Sequence, residues 1–199
     1  MDADIVIGAN LGDEGKGSVV ASLTKATDGE VLNVLTNGGS QRAHSILTED
    51  GSFTFKHFGS GTYHGADSYY SRFFIINPMQ FVKEYNELTE RGISLKGKIF
   101  CDPRVRWSTP YDMMANQIIE ENRGKNKHGS CGLGIFETIK RYKAGITDVD
   151  NHIREYYLEQ FERENIILTD EWSRIFLDNG IFEHFLDDWD FMNNHSLAI

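Results

Sequence analysis

Between the apolar run Ile5-Val6-Ile7 and the helix-like segment Val19-Val-Ala-Ser-Leu-Thr-Lys25 lies Gly8-Ala-Asn-Leu-Gly-Asp-Glu-Gly-Lys-Gly-Ser18. A buried strand over 4–8, a glycine-rich turn and a helix over 15–27 point backbone N–H groups and a helix N-terminus at an anion. Such a unit belongs to a sheet with helices packed on it. The spacing is not that of a Walker loop: Asn10 stands where its first glycine would be, and Lys16 is followed by Gly17. Two carboxylates, Asp13 and Glu14, sit inside a loop otherwise built to receive negative charge. Electrostatics alone would exclude them, so they call for a role such as holding Mg²⁺ between phosphates or taking a proton from a substrate.

Charge narrows the function classes. The net charge is −10, and all of it lies in residues 148–199, which hold 13 acidic and 3 basic side chains. Residues 1–147 are balanced and can host a local anion site. No basic field exists for a nucleic-acid backbone, so nucleic acid is not expected as a partner. The acidic end reads as a solvated helical surface, with a basic protein partner as the lesser reading. Cys101 and Cys131 lack metal-ligand spacing and read as reduced thiols. No opening apolar run suits a signal peptide and none suits a membrane span, so a cytoplasmic protein without membrane contact is expected.

The remaining pattern alternates. Val31–Leu35, Arg72–Ile76 and Lys98–Cys101 read as strands, and Ser45–Thr48 and Ser52–Phe55 flank Asp50-Gly51 as a hairpin. Asn77-Pro78 and Thr109-Pro110 are helix starts, the first stopped by Gly92 and the second running to about Asn122. On the first helix Met79, Val82, Tyr85 and Leu88 form one face. From about 150 the pattern is helical, with Ile153, Tyr156, Tyr157 and Phe161 on one stripe and Trp172, Ile175, Phe176 and Leu177 on another. These aromatics read as core. The expected fold is α/β: a mixed, mainly parallel sheet flanked by helices, a nucleotide-binding core of P-loop-NTPase-like kind. The core spans 1–147, and an acidic helical segment, 148–199, packs on it.

The opening loop resembles the Gly-Asp-Glu-Gly-Lys-Gly signature of the adenylosuccinate synthetase family. Four further stretches resemble that family in order. Gly38-Gly-Ser-Gln-Arg-Ala-His44-Ser45 is similar to its second loop, with Gln41 in place of an asparagine. His57-Phe-Gly-Ser60-Gly61 is similar to a Pro-Ser-Gly turn, and Pro78 to Gly92 to a family helix. His128-Gly-Ser-Cys-Gly-Leu-Gly134 is similar to the turn that binds the nucleotide monophosphate.

The resemblance implies GTP-dependent ligation of L-aspartate to IMP through a 6-phosphoryl-IMP intermediate, in purine nucleotide biosynthesis with Mg²⁺ as cofactor. The implied catalytic residues are Asp13 as base, His44 as donor to the transferring phosphoryl group and Lys16 as phosphate anchor. GTP would be held by Gly12, Asp13, Glu14, Gly15, Lys16, Gly17, Ser18, Ala43, His44 and Ser45. IMP would be held by Asp13, Lys16, Gln41, His44, Ser130, Cys131 and Arg141, and the metal by Asp13 and the Ala43 carbonyl. Cys131 is a poor donor where a hydroxyl is expected, and the spacing to Arg141, which in the family crosses a dimer, differs by about two residues. Taken alone, Asp13 would read as a helix cap and His44 as a structural histidine.

A complete family member is about twice this length. A Glu-Gly-Ala-Gln-Gly segment, an arginine-rich loop for aspartate and a Lys-x-Asp element that reads guanine do not occur here. The expectation is therefore an incomplete or split ligase, paired as a homodimer or with a complementary C-terminal polypeptide, that turns over poorly by itself. ATP stays open as an alternative to GTP. So does dGMP as an alternative to IMP, although Asp13, often replaced in dGMP-directed relatives, favours IMP. A non-catalytic nucleotide-binding module of the same fold and a small-molecule kinase are further readings.

Overall fold

The structure is a computed structural model, and it describes residues 2–49, 51–148 and 152–198. Helix α1 (Lys16–Ala26) is followed by β1 (Leu32–Leu35), β2 (Gly38–Gly39) and the hairpin β3 (His44–Thr48) and β4 (Gly51–Phe55). A 3₁₀ turn over Ser60–His64 leads to β5 (Asp67–Tyr70) and β6 (Phe74–Ile76), then α2 (Pro78–Glu90). β7 (Ile99–Cys101), β8 (Arg106–Trp107), α3 (Pro110–Asn122) and α4 (Ile135–Lys143) come next. The chain ends in α5 (His152–Arg163), α6 (Asp170–Phe176), α7 (Asn179–His195) and β9 (Leu197–Ala198).

The α/β architecture is the one expected, with the sheet divided in two. One parallel sheet runs β1-β5-β7-β9, and a second runs β2-β6-β8. The order repeats because each long strand breaks at the same level, after Leu35, Tyr70 and Cys101. The breaks have local causes. Gly38 takes φ 80, Phe74 N–H closes a turn on Ser71 O at 2.9 Å, and Val105 N–H closes one on Asp102 O at 2.9 Å.

The expected strand over 4–8 does not form. Ile5 and Ile7 are 86% and 79% exposed and pair with no strand among the described residues. An apolar run becomes a strand only where a neighbour supplies its hydrogen bonds, and among the described residues β1, at the edge of its sheet, pairs with β5 alone. Helix starts were more legible. Asn77 Oδ1 accepts from Gln80 N–H at 3.1 Å, and Thr109 forms a capping box with Asp112 ahead of Pro110. The hairpin lies where expected; Asp50, at its tip, lies outside the described residues.

Two cores hold the molecule. One lies between the β1-β5-β7 sheet and α2, from Leu35, Phe58, Tyr70, Phe74, Phe81 and Leu88, and takes in Met192 of α7. The other joins Tyr111, Met114 and Ile118 of α3 to Ile153, Tyr157, Phe161, Phe176 and Phe185 of the C-terminal helices. The two stripes expected over 153–177 thus pack in or against this core, apart from Leu177, which is exposed. Between α3, α4 and α5 the carboxylate of Asp112 accepts both Nε (2.9 Å) and an Nη (3.0 Å) of Arg141, the Tyr157 hydroxyl and the Thr109 N–H (2.7 Å).

Candidate functional site

In the opening loop Gly12 (φ 111), Asp13 (φ 54) and Gly15 (φ 75) adopt left-handed backbone, and α1 starts at Lys16. A non-glycine residue in that region is uncommon. The Asp13 carboxylate has no hydrogen-bond or ion-pair partner among the described residues and faces solvent. Glu14 behaves differently. Its carboxylate folds back into the loop, accepting from Asn10 N–H and pairing with Lys16 Nζ at 3.1 Å. These two contacts hold its pKa below the ordinary range. The pair lies directly over Gly8, where a Cβ would displace the Glu14 and Lys16 side-chain ends from their present positions. Glu14 thus neutralises the one cation of the loop from within.

The second loop reaches the first through Gly17. A Cβ on Gly17 would lie 3.0 Å from the Cβ of His44 and 3.2 Å from the Ser45 carbonyl oxygen. Glycine lets the start of β3 lie this close to the first turn of α1; a Cβ would press His44 and Ser45 back by a few tenths of an ångström. The contact is reinforced by Ser60 Oγ, which donates to Gly17 O at 2.7 Å, and by Ser18 Oγ, which reaches Ser45 O at 3.5 Å. His44 is half-buried, and burial, with the charges of Arg42 and Lys16, pushes its pKa below the usual histidine value. Lys16, Gly17, Ser18, His44 and Ser45 therefore share one patch.

Gln41 and Ala43 are exposed on the turn after β2. Gly39 lets that turn approach the third loop: a Cβ on Gly39 would lie 2.7 Å from both Ile135 Cδ1 and Ile75 O. Ile135 opens α4, directly after the His128–Gly134 turn. There Ser130 Oγ donates to Asn116 Oδ1 and accepts from Gly132 N–H at 3.2 Å, while Gly129 N–H donates to Glu120 at 2.7 Å. Gly134 (φ 67) packs so closely on α3 that a Cβ would collide with the Asp112 backbone. Cys131 is an exposed free thiol.

Arg141 is not brought to this patch. Its side chain is fully buried, donating to Asp112, to Trp107 O at 2.7 Å and to Ile146 O at 2.8 Å. Burial opposes its charge, but Asp112 overrides that and holds the pKa above its ordinary value. Sequence similarity could not show that the guanidinium is already engaged. In this chain it ties α4 to α3 through Asp112.

Two residues that sequence reading passed over build the floor of the site. Arg42 donates to the carbonyls of Lys56, His57 and Phe58 (3.0 Å to the last) and lies 4.9 Å from the Phe74 ring centre. Glu84 accepts the N–H groups of the same three residues, at 2.9, 2.8 and 3.1 Å. Together they clamp the turn that presents Ser60 to Gly17. Burial raises Glu84 to about 6, against the pull of those N–H groups. His57, wholly buried, accepts from Asn77 N–H through Nε2 at 3.0 Å, and burial drives its pKa down to about 3. The available signal was a carboxylate at the helical spacing of Phe81 and Leu88, on the face that α2 buries.

Among the described residues no three His, Cys, Asp or Glu side chains gather as a metal cage. Mg²⁺ held beside phosphates needs no such cage, because one or two protein oxygens suffice. The unpaired, solvent-facing Asp13 carboxylate fits that demand.

Residues 5–169 match the family model described as adenylosuccinate synthetase. The chain is 31% identical over 176 residues to an adenylosuccinate synthetase of Dehalococcoides mccartyi, covering 85% of this chain and 41% of the relative. It is 30% identical over 171 residues to that of a Synechocystis species, covering 82% of this chain and 38% of the relative. A solved structure of fully ligated adenylosuccinate synthetase from Plasmodium falciparum superposes with TM-score 0.66 at 16% identity, over 96% of this chain and 49% of that one. The chain thus spans about 40% of the length of the curated relatives it matches. With a synthetase-like architecture, three glycine-built loops brought together and a match over most of its residues, the chain belongs to the adenylosuccinate synthetase family.

Proposed function

We propose that this chain supplies the phosphoryl-transfer half of a purine nucleotide ligase that joins L-aspartate to IMP at the expense of GTP. The observation that carries the reading is the seating of His44 against Gly17, which gathers Lys16, the start of α1 and a neutral-leaning imidazole around one point. In this mechanism Asp13 accepts the N1 proton of IMP, which moves electron density onto O6. O6 attacks the γ-phosphorus, and the bond to the β-phosphate oxygen breaks to release GDP. Lys16 and the amide groups at the start of α1 hold the phosphates. His44 donates a hydrogen bond to the phosphoryl oxygens as charge spreads over them. The amine of aspartate then attacks C6, and phosphate departs with the C6–O electrons. Asp13 and the Ala43 carbonyl would hold Mg²⁺, which when bound neutralises phosphate charge.

Gln41 and Ser130 are proposed to contact IMP, and Gly12, Gly15 and Ser18 the triphosphate. Glu14 is given a different part from ligand binding: its carboxylate must leave the loop as phosphate enters. Soluble, cytoplasmic work as a homodimer or beside a complementary polypeptide is part of the same proposal. The test is product identification by mass after incubation with GTP, IMP, aspartate and Mg²⁺, for the chain alone and in a competent assembly. Adenylosuccinate is expected only in the assembly, and Asp13→Asn should lower its formation there at least about 100-fold. Full activity of Asp13→Asn would refute the assignment of the base.

A further inference from the structure

Glu137 is an acid in the first turn of α4 that the site as described does not use. A glutamate is rarely buried without a full set of partners. This one is 4% exposed, and its Oε2 has no hydrogen-bond partner among the described residues. The Asn116 side chain, buried on α3, donates to its carboxylate. Asn116 Oδ1 in turn accepts from Ser130 Oγ. Three side chains thus connect a buried carboxyl to a residue exposed on the His128–Gly134 turn. Glu120, which also lies beneath that turn, is already taken up by Gly129 N–H and Arg123. The direction of these bonds decides what Ser130 can do. A hydroxyl has one hydrogen. Ser130 gives its hydrogen to Asn116 and accepts from Gly132 N–H at 3.2 Å, which leaves it only a lone pair to present. A phosphate oxygen needs a donor. Turning the Asn116 amide over makes Nδ2 the donor to Ser130 Oγ and frees the hydroxyl hydrogen. The same turn sets Asn116 Oδ1 against the Glu137 carboxylate, two acceptors facing each other away from water. A proton on Glu137 resolves that conflict, because the carboxyl O–H then donates to Oδ1.

We infer that Glu137 is a positioning residue for the nucleotide phosphate: protonated, it holds Asn116 in the orientation that lets Ser130 donate, and ionised, it withdraws that donor. The inference rests on the reading that sets IMP against Ser130, and adds to it one proton taken up from solvent as IMP binds. The surroundings favour that proton. Burial raises the pKa of Glu137, and the charge of Asp112 on α3 adds to this, against its own backbone N–H, the Asn116 donor and Lys140 on α4. On α5, burial keeps Tyr157 a neutral phenol, with its hydroxyl on Asp112. Arg141 is engaged by Asp112, and Arg106 of β8 lies over the Tyr142 ring, 6.0 Å from its centre.

The test is calorimetric titration of the full 199-residue chain with IMP across a range of pH, beside Glu137→Gln. The glutamine carries a fixed donor towards Asn116. It should bind IMP about tenfold more tightly than the unaltered chain near pH 8, with the advantage shrinking as pH falls. Comparing the two chains cancels the titration of the IMP phosphate itself. Ser130→Ala should abolish the difference between them. A second measurement needs no substitution at Glu137: the midpoint of its carboxyl carbon NMR signal should lie about one pH unit higher when IMP saturates the chain, by the reciprocity of linked equilibria. An unmoved midpoint with IMP bound overturns the inference. So does a Glu137→Gln chain that binds no tighter near pH 8, or one that keeps its advantage beside Ser130→Ala. Those results leave the IMP reading standing. Failure of IMP to bind, or equal binding to Ser130→Ala at every pH, contradicts that reading and the inference together.

Discussion

Asp13 and Glu14 are neighbours with opposite dispositions. Left-handed backbone at Asp13 turns its carboxylate outward, unpaired, whereas Glu14 folds inward onto Asn10 N–H and Lys16. The loop is therefore internally neutralised before any phosphate arrives. Replacing Glu14 by Gln removes a negative charge from the anion's path and releases Lys16. Affinity for GTP, measured by equilibrium titration, should rise about two- to tenfold; weaker binding would show that Glu14 supports the nucleotide instead of competing with it. Both acids were visible in the sequence as anomalies in an anion loop. Which of them is free depends on one φ angle and one close approach over Gly8.

The elements under the site make the fold sensitive to acid. His57 must stay neutral to accept from Asn77 N–H, and its folded pKa of about 3 lies below the 6.5 of an unfolded histidine. Below pH 6.5 the unfolded chain binds the proton more readily, so this residue withdraws about 1.4 kcal/mol of stability per pH unit down to about pH 3. Glu84 acts in the other direction. Its folded pKa of about 6 exceeds the unfolded 4.5, so its contribution is complete below pH 4.5 and is lost as pH rises through 6. The two oppose each other between pH 6 and 4.5, and only His57 acts below. Urea midpoints should be nearly flat across the first window and fall steeply under it. His57→Gln, which keeps an acceptor for Asn77, should remove much of the steep fall; an unchanged profile would assign acid sensitivity elsewhere.

The pair Arg141–Asp112 belongs to the same class of support. Arg141→Met leaves Asp112 buried without its cation and should destabilise by about 3–5 kcal/mol. A variant of unaltered urea midpoint that loses IMP binding would return Arg141 to the nucleotide site. The caps at Asn77 and Thr109 could be read from sequence because they are local. These clamps could not, since their partners lie 14 to 29 residues away.

In the molecule as a whole, the acidic C-terminal helices share both cores with residues 1–147. Met192 enters the sheet core, Tyr157 reaches Asp112, and the rings of Trp107 and Trp189 lie 6.2 Å apart. Unfolding followed at Trp107 alone, and at Trp172 and Trp189 alone, should therefore give coincident urea transitions. Separate midpoints would show that the two parts fold independently.

The sequence by itself determined the local units: the glycine loop with its helix, the hairpin, the proline-started helices and the order of the family motifs. Each rests on backbone preferences or short-range hydrogen bonds, which neighbouring residues settle among themselves. Tertiary structure alone decided that Gly17 and Gly39 are contact points between loops, that Arg141 is consumed in the core and that Ile5–Ile7 does not form a strand. It also decided that Leu32 and Val34 of β1 stay about half exposed. Strand pairing, desolvation and the engagement of a buried charge depend on groups distant in the chain, so they acquire a value only once the fold has placed those groups together.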